Sequence, residues 1–485
     1  VRLTDNQLIA LFTDVAVTDV AVTDVAVTDV AVTDVAVTDV AVTDVAGADN
    51  IVLFDDRLSP HLRQRIVHSL APDSIQPACV LYPQTIAELS KAIAISYKHQ
   101  LRVLPCGNAS KLDWGGLVSR ADIVISTSQL NHVIEHCVGD LTVTVEAGVK
   151  YQDLQAQLAT EGQFLAIDPP YAASATIGGI LATASAGSLR HRYNGVRDMC
   201  LGIEFVRSDG EVVKAGGRVV KNVAGYDLMK LLTGSYGTLG IASRITFRLY
   251  PLPEYTQIAV VTGAAEAIAI AQQTISTSVM TPTACDLLSA SAIANLGLGQ
   301  GMGLAIQFSS LKASVIEQCD RVMMLAKELN LQVRMIDKTQ EFWRLLEMLM
   351  WQGELRNLDQ ATNIQSKNHH VVCKLGILPS AAVSIFQQCE QIFNNQAYYL
   401  QIHTGSGLGV LRMEDSQDLA KIAEQITKVR SISESHNGFL TILEAPHELK
   451  YQNNVWGYTG NASDLMNKIQ QKFDPRGLLS PSRLF

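Results

Sequence analysis

The chain has 485 residues, 47% of them hydrophobic, which is enough for more than one buried core, since single cores stop growing at about 250 to 300 residues. Its formal charge is -9, but seven aspartates sit in one tandem repeat, which leaves 40 acidic against 38 basic groups elsewhere. A nearly neutral body without basic clusters lacks the electrostatic footprint of phosphate-backbone binding, and nucleic acid is excluded as an expected partner. In chain order the repeat comes first: the unit Val-Ala-Val-Thr-Asp recurs six times over residues 15–44. A period of five moves equivalent residues by about 140° around a helix and switches strand face at every repeat, so no continuous apolar face forms. Spaced aspartates disperse where cation ligands must converge, so no metal is expected there. Residues 1–46 read as a weakly ordered insertion, interrupting a segment that runs from Leu8-Ile9-Ala10-Leu11-Phe12 into Gly47-Ala48-Asp49-Asn50 and on through 76.

The first patterned unit opens with Cys79-Val80-Leu81-Tyr82, stopped by Pro83, and a capping box of Thr85 with Glu88. Ile86, Leu89, Ile93 and Tyr97 recur at helical spacing, and Leu101-Arg102-Val103-Leu104 returns as a strand, completing a βαβ unit. It runs into Pro105-Cys106-Gly107-Asn108-Ala109-Ser110-Lys111-Leu112, where small residues let successive amides face one anion, with a hydroxyl from Ser110 and a charge from Lys111. Neither the Gly-x-Gly-x-x-Gly of dinucleotide-binding Rossmann domains nor the P-loop pattern occurs. The eight cysteines are scattered, and no two fall at Cys-x-x-Cys spacing, so zinc and iron–sulfur ligation are not expected.

Leu141 to Val145 alternates as a half-buried strand, Gly148 breaks it, and Tyr151, Leu154 and Leu158 mark a short helix. The composition then shifts to small residues: Asp168-Pro169-Pro170, Thr176-Ile177-Gly178-Gly179, Ala182-Thr183-Ala184-Ser185-Ala186-Gly187 and Gly195. Ile203 to Val206, an Asp209-Gly210 turn and Val212-Val213 read as a hairpin. Lys221-Asn222-Val223-Ala224-Gly225-Tyr226-Asp227 precedes Gly234-Ser235-Tyr236-Gly237-Thr238-Leu239-Gly240-Ile241, which opens an alternating strand to Leu249.

In this order, these segments resemble the FAD-binding domain of the vanillyl-alcohol-oxidase (PCMH) type of flavoprotein, over residues 77–253. The resemblance implies an α+β fold: a two-subdomain FAD-binding domain, a cap over residues 254–445, and a C-terminal segment 446–485 returning to the FAD domain. It implies FAD contacts from residues 105–112, from Thr176, Ile177, Gly178 and Gly179, from Ala182, Thr183, Ala186 and Gly187, and from Gly237, Thr238, Gly240 and Ile241. Members that tether FAD do so through a histidine in the first loop, and here that place reads Gly107-Asn108-Ala109-Ser110, which implies non-covalent FAD. Asn108 and Ala109 stand where many members have glycines.

The alternating strands and helices of residues 255–445 suit a cap of helices on an antiparallel or mixed sheet. The tail, with Phe473-Asp474-Pro475-Arg476-Gly477-Leu478-Leu479, is similar to that of glycolate and D-lactate dehydrogenase flavoproteins, with Ser480 and Ser482 in place of the usual Asn and Gly. From Asp49 onward the chain most resembles the FAD-binding subunits of glycolate oxidase. Catalytic members carry a His-x-Gly-Asp-Gly-Asn-x-His segment that supplies metal ligands and a base. Here the similar place reads His403-Thr404-Gly405-Ser406-Gly407-Leu408-Gly409, which leaves His403 as a catalytic candidate and no metal site. His369-His370 and residues 444–447 read as structural. The implied activity is oxidation of a small 2-hydroxy acid through FAD. The alternatives are a non-catalytic FAD-carrying assembly or electron-transfer subunit, working with a sister flavoprotein and an iron–sulfur subunit, and a self-sufficient D-lactate-type dehydrogenase. Without an evident leader or a membrane-spanning apolar run, a cytoplasmic location is expected.

Overall fold

The computed structural model describes residues 50–484 apart from 56, 218–225, 353–369, 395, 415–417 and 459. The pentapeptide repeat, the segments flanking it up to Asp49, Lys221 to Gly225 and His369 lie outside the described residues.

The first sheet is built from β1 (Ile51–Leu53), α1 (Pro60–Ser69), β2 (Cys79–Leu81), α2 (Ile86–His99), β3 (Val103–Cys106) and β4 (Ile123–Ser126). Helix α2 starts where Thr85 accepts the Glu88 N–H and ends on Gln100 in the left-handed region. It buries Leu89, Ala92 and Ile93 against Cys79, Val103 and Ile125. The strand order is β1-β2-β4-β3, with β2 and β3 each parallel to β4. The strands of the βαβ unit read from sequence are therefore not neighbours, because β4 fills the position between them.

The second sheet follows through β5 (Val133–Cys137), β6 (Thr142–Glu146), α3 (Tyr151–Ala159), β7 (Gln163–Phe164), α4 (Ile177–Ala182), α5 (Arg190–Tyr193), α6 (Val196–Met199), β8 (Cys200–Val206), β9 (Val212–Gly216), α7 (Leu228–Leu232), β10 (Ile241–Arg248) and β11 (Tyr250–Pro251). Five strands pair antiparallel in the order β5-β6-β10-β8-β9. Val143, Val145, Ile203, Phe205, Ile245 and Phe247 meet Leu154 and Leu158 of α3 and Ile177 and Ile180 of α4 in one core.

A third, larger sheet comprises β12 (Tyr255–Gly263), α8 (Ala265–Thr277), β13 (Ala284–Leu288), α9 (Ala290–Asn295), β14 (Met302–Ser310), α10 (Lys312–Glu328), β15 (Gln332–Ile336), α11 (Thr339–Trp351), β16 (Val371–Gly376), α12 (Ala382–Phe393), β17 (Tyr398–His403), β18 (Leu408–Met413), α13 (Leu419–Ser435), β19 (Phe439–Glu444) and α14 (His447–Gln452). Its eight strands run β15-β12-β14-β13-β17-β18-β16-β19, antiparallel throughout. Because successive strand residues face opposite ways, Ala259 and Val261 point to the face covered by α8, α10, α12 and α13, and Ile258 and Val260 to the face covered by α9 and α11. Leu288 and Tyr399 share the second face. Two residues along, the same face carries Asp286, Gln401 and His403, and there α5 of the second unit packs against β13.

After α15 (Ser463–Phe473) the chain returns to the first sheet. Val103 donates its N–H to the Leu478 carbonyl at 2.8 Å, and Ser480 donates to the Val103 carbonyl at 2.9 Å. Ser480 and Ser482 adopt φ of 46° and 64°, the left-handed region that suits Asn and Gly, so the turn is kept with less fitting residues.

Candidate functional site

Between the first two sheets lies a groove with about 810 Å³ of empty space, partly open to solvent. One wall is the loop leaving β3. Ser126 donates its hydroxyl to the Gly107 carbonyl at 3.0 Å, and Asn108 donates its side-chain amide to the Ser174 carbonyl at 3.1 Å, so neighbouring segments hold the loop. Ala109 sits at φ 56°, and the left-handed turn persists without a glycine. The opposite wall is the start of α4, where Gly178 donates its N–H to the Ala147 carbonyl at 2.7 Å. The two walls nearly touch at Gly107: a Cβ there would lie 2.1 Å from Thr176 Oγ1 and 3.0 Å from Thr176 Cβ and Cγ2. The third wall enters β10, and Gly237, at φ 74°, brings backbone against the Pro105 ring.

Two cations reach this groove from opposite ends of the chain. Lys111 is 5% exposed and its Nζ has no hydrogen-bond partner; it lies 5.8 Å above the Trp114 ring, and burial, opposed by Glu347, brings its pKa down to about 7. Arg483 is likewise buried. One of its amino groups donates to the Leu112 carbonyl, while Nη1 has no partner, and burial lowers its pKa to about 10. Each cation leaves a buried donor nitrogen without a hydrogen-bond partner, which is costly, so a groove holding two such donors is matched to an anionic ligand.

All eight residues of the 105–112 loop line the groove, as do Thr176, Gly178, Gly179, Ala182, Thr183, Gly237, Gly240 and Ile241. Ile177 turns into the core, the Thr238 hydroxyl bonds the Ser235 carbonyl at 2.7 Å, and Ala186 and Gly187 lie beyond the groove, where Gly187 backs onto Asp168. Sequence reasoning missed Thr127, Leu181, Leu232, Ser235, Tyr236, Ala242 and Arg483 among the lining residues. Leu181 and Tyr236 stood inside or beside motifs already noted; Arg483 gave no signal, because only the returning tail brings it there. No lining residue is a histidine, and burial pushes the Cys106 thiol up to about 12, which makes it a poor nucleophile.

His403 lies at a separate place, the seam between cap and second sheet. It is 6% exposed and stands directly across from Asp286, its partner in the β13–β17 ladder, with Nδ1 2.7 Å from Asp286 Oδ1. Asp286 also accepts from the Ser188 hydroxyl and, at 2.9 Å, from the Gln401 amide. Burial disfavours charge here, yet His403 and these hydrogen bonds hold the Asp286 pKa down, and Asp286 and Asp168 raise that of His403. Asp168 accepts the N–H groups of Gly187 and Leu189, each at 3.0 Å, while burial raises its own pKa to about 7. Among the described residues no group of three or more His, Cys, Asp or Glu side chains is disposed to hold a metal ion.

A second seam contact surrounds Glu444, which accepts from Trp114 Nε1 at 2.8 Å and the Tyr171 hydroxyl at 2.6 Å and faces His370 Nε2 at 3.2 Å. Burial opposes its charge, but these partners hold its pKa down to about 2. His447 bonds the Leu70 carbonyl. These side chains tie the cap to the first sheet. No helix among the described residues is long and apolar enough to cross a membrane.

Residues 77–216 match the sequence profile of an FAD binding domain. The chain is 30% identical over 317 residues to the mitochondrial D-lactate dehydrogenase [cytochrome] of Arabidopsis thaliana, covering 62% of this chain and 55% of that protein. It is 33% identical over 178 residues to glycolate oxidase subunit GlcD of Bacillus subtilis, covering 37% of this chain and 38% of the subunit. The matches thus span between about a third and just over half of these relatives. Among solved structures, p-cresol methylhydroxylase with substrate bound superposes with a TM-score of 0.69 at 16% identity, covering 90% of this chain and 94% of that one. An alkyldihydroxyacetonephosphate synthase gives 0.67 at 15% identity, covering 90% and 84%. At such identities the likeness is one of fold.

Proposed function

We propose that this chain, whose residues 77–216 are an FAD binding domain of the PCMH type, holds FAD without a covalent bond in the groove and oxidises a small 2-hydroxy acid to a 2-oxo acid as part of a glycolate dehydrogenase-type complex. The observation that carries this reading is the groove itself, backbone-walled and closed by Lys111, whose Nζ has no hydrogen-bond partner, and Arg483, whose Nη1 has none. Those residues fit the cofactor: the ammonium and guanidinium supply counter-charge to a diphosphate, and the small residues of the 105–112 and 176–183 walls admit a flat ring against main chain. When bound, FAD supplies the hydride acceptor, and the protein's part is to position and to manage protons. The substrate class is supported by the similarity to a D-lactate dehydrogenase and a glycolate oxidase subunit.

The second reading is an FAD-carrying assembly or electron-transfer subunit that depends on a sister flavoprotein and an iron–sulfur subunit. It is favoured by the segment after His403, which has neither the aspartate, the asparagine nor the second histidine of catalytic members. The two readings separate in one experiment. The chain is purified alone, its absorbance near about 450 nm is recorded for bound flavin, and glycolate or D-lactate is added without air. Bleaching supports a self-sufficient dehydrogenase; a persistent yellow colour supports the assembly role; a folded but colourless chain that refuses FAD defeats both.

A further inference from the structure

We infer that residues 480–483 form a strap that docks beside the groove together with its anionic ligand, so that cofactor capture and strap docking are one coupled equilibrium, with Arg483 as the coupling group. The inference rests on the FAD reading of the groove and deepens it by naming the part of the chain that controls capture.

The returning segment divides at Leu479. Up to that point it is anchored by apolar burial and main-chain bonds. Leu478 and Leu479 are 4% and 1% exposed, Leu479 belongs to the core of the first sheet, Val103 donates to the Leu478 carbonyl at 2.8 Å, and Asp474 accepts the Leu479 N–H at 2.7 Å. Ser480, Pro481, Ser482 and Arg483 bring no buried apolar side chain to the docked state. Their docking relies on polar contacts. Ser119 donates its N–H to the Pro481 carbonyl at 3.0 Å, the Ser482 hydroxyl meets the Ser119 hydroxyl at 3.1 Å, Trp456 Nε1 donates to the Arg483 carbonyl at 3.1 Å, and the guanidinium donates to the Leu112 carbonyl. Such bonds replace bonds to water, so each contributes only modestly.

Two features oppose docking. Ser480 and Ser482 both stand in the left-handed region, at φ of 46° and 64°, which L-residues adopt at a cost that glycine, and in part asparagine, avoids. Arg483 also carries its charge into a place where it is 3% exposed and where Nη1 finds no partner. Asp113 attracts this guanidinium and Lys450 repels it, while Asp113 is itself ion-paired with Arg65 at 3.2 Å.

The receiving surface is shaped for the strap all the same. A Cβ at Gly116 would lie 2.6 Å from the Arg483 carbonyl oxygen, so any side chain there would push the strap away. Trp456, which holds that carbonyl, packs edge-on against Tyr236 with ring centroids 5.0 Å apart, and Tyr236 and Arg483 both line the groove. Strap, seat and groove wall are therefore in continuous contact.

What tips the balance is an acceptor for Nη1. A dinucleotide diphosphate in the groove would offer one, and only to the docked strap, because undocking takes Arg483 out of the groove. A ligand that favours one of two states shifts the population toward it, and the linkage is reciprocal: whatever stabilises the docked strap raises ligand affinity by the same factor until docking is complete.

The test uses the full chain. Hydrogen exchange of the peptide covering residues 478–484 is followed by mass spectrometry with and without saturating FAD, with β12 of the cap as reference, beside a flavin fluorescence titration. Wild type is compared with Arg483→Gln and with a double variant, Ser480→Asn with Ser482→Gly. In wild type, FAD should slow exchange at Ser480, Ser482 and Arg483 by about tenfold or more beyond any change in β12. The double variant removes the backbone cost, so its strap should exchange about threefold or more slowly even without FAD, and its FAD affinity should rise by a similar factor. In Arg483→Gln the protection added by saturating FAD should shrink to within about twofold. Strap exchange that FAD leaves unchanged, a double variant with wild-type affinity, or full protection in Arg483→Gln overturns the strap and leaves the FAD reading intact. A folded chain that takes up no FAD overturns both. Should the variants fail to fold, the wild-type exchange decides alone.

Discussion

The groove and the seam are made of different materials. In the groove the ligand-facing surface is largely main chain, contributed by three short segments whose small side chains keep out of the way. At the seam the surface is side chain: Asp286, Gln401, His403, Ser188 and Glu444 come from strands and loops scattered over residues 188–444 and meet through strand pairing and the docking of the sheets. A main-chain surface is specified by local spacing and by where glycine or alanine stands, whereas a side-chain surface is specified by register and by domain docking. The first should be fragile to added atoms and the second to lost partners.

The sharpest way to break the groove half of this contrast is Gly107→Ala. Thr176 presents Oγ1, Cβ and Cγ2 to the new methyl group, so rotating that side chain gives no relief, and its Oγ1 also caps α4. Overpacking of about 1 to 3 kcal/mol spreads the walls, and we expect FAD affinity, measured by quenching of flavin fluorescence, to fall on the order of 100-fold. Unchanged affinity would mean that the walls are not held as described.

For the seam, the matching variant is Glu444→Gln. The amide keeps the shape but loses a charge that accepts from Trp114 and Tyr171 and faces His370, and bonds to a charged acceptor contribute about 1.5 to 3 kcal/mol, so we expect a loss of about 2 kcal/mol in denaturant unfolding at pH 7. The folded carboxylate titrates at about 2, below its ordinary 4.5, so its contribution is present above 4.5 and fades as pH falls through that window. Wild type and variant should therefore converge in stability near pH 2 to 3.

How much of this was legible in the chain alone follows the same division. Residues 105–112, 176–183 and 237–241 announced themselves, because closely spaced small residues are a local signal, and most of them line one cavity. Ile177 and Thr238 belong to the same motifs but face the core, since a helix or a turn sends adjacent residues in different directions. His403 was visible as a residue, but its partner was not: Asp286 lies 117 positions earlier in an unremarkable strand, and only the ladder makes them a pair. Arg483 was hidden for a similar reason, because the tail's return beside β3 is a tertiary event. The β2–α2–β3 unit was read correctly as elements, while the insertion of β4 between its strands leaves no mark on local periodicity.

Lys111 is the exception that sharpens the comparison, a side chain in a main-chain site. With burial lowering its pKa to about 7, the folded chain without FAD prefers the neutral amine. Unfolding then takes up protons between about 7 and the ordinary 10.5, so stability of the FAD-free chain should increase as pH rises through that window. Lys111→Met should flatten the dependence and stabilise the FAD-free protein at pH 7 by about 1 kcal/mol, while weakening FAD about tenfold, since the removed cation is costly alone and useful only when paired. Thermal melts with and without FAD read both signs. Destabilisation of the FAD-free form would show that the ammonium already has a partner.

The smallest effect tests whether the loop's shape or its composition matters. Ala109 is held at φ 56°, where an L-residue costs roughly 1 to 2 kcal/mol and glycine costs little beyond its greater freedom when unfolded. Ala109→Gly should therefore raise stability by a few tenths to about 1 kcal/mol and leave FAD affinity within about twofold, because the loop's path is already the one glycine would take. Equilibrium unfolding and a flavin titration check the two halves separately. A marked gain in FAD affinity would mean that the alanine distorts the loop, whereas added stability at constant affinity would show that packing from Ser126, Ser174 and Arg65 imposes the turn on a sequence that does not favour it.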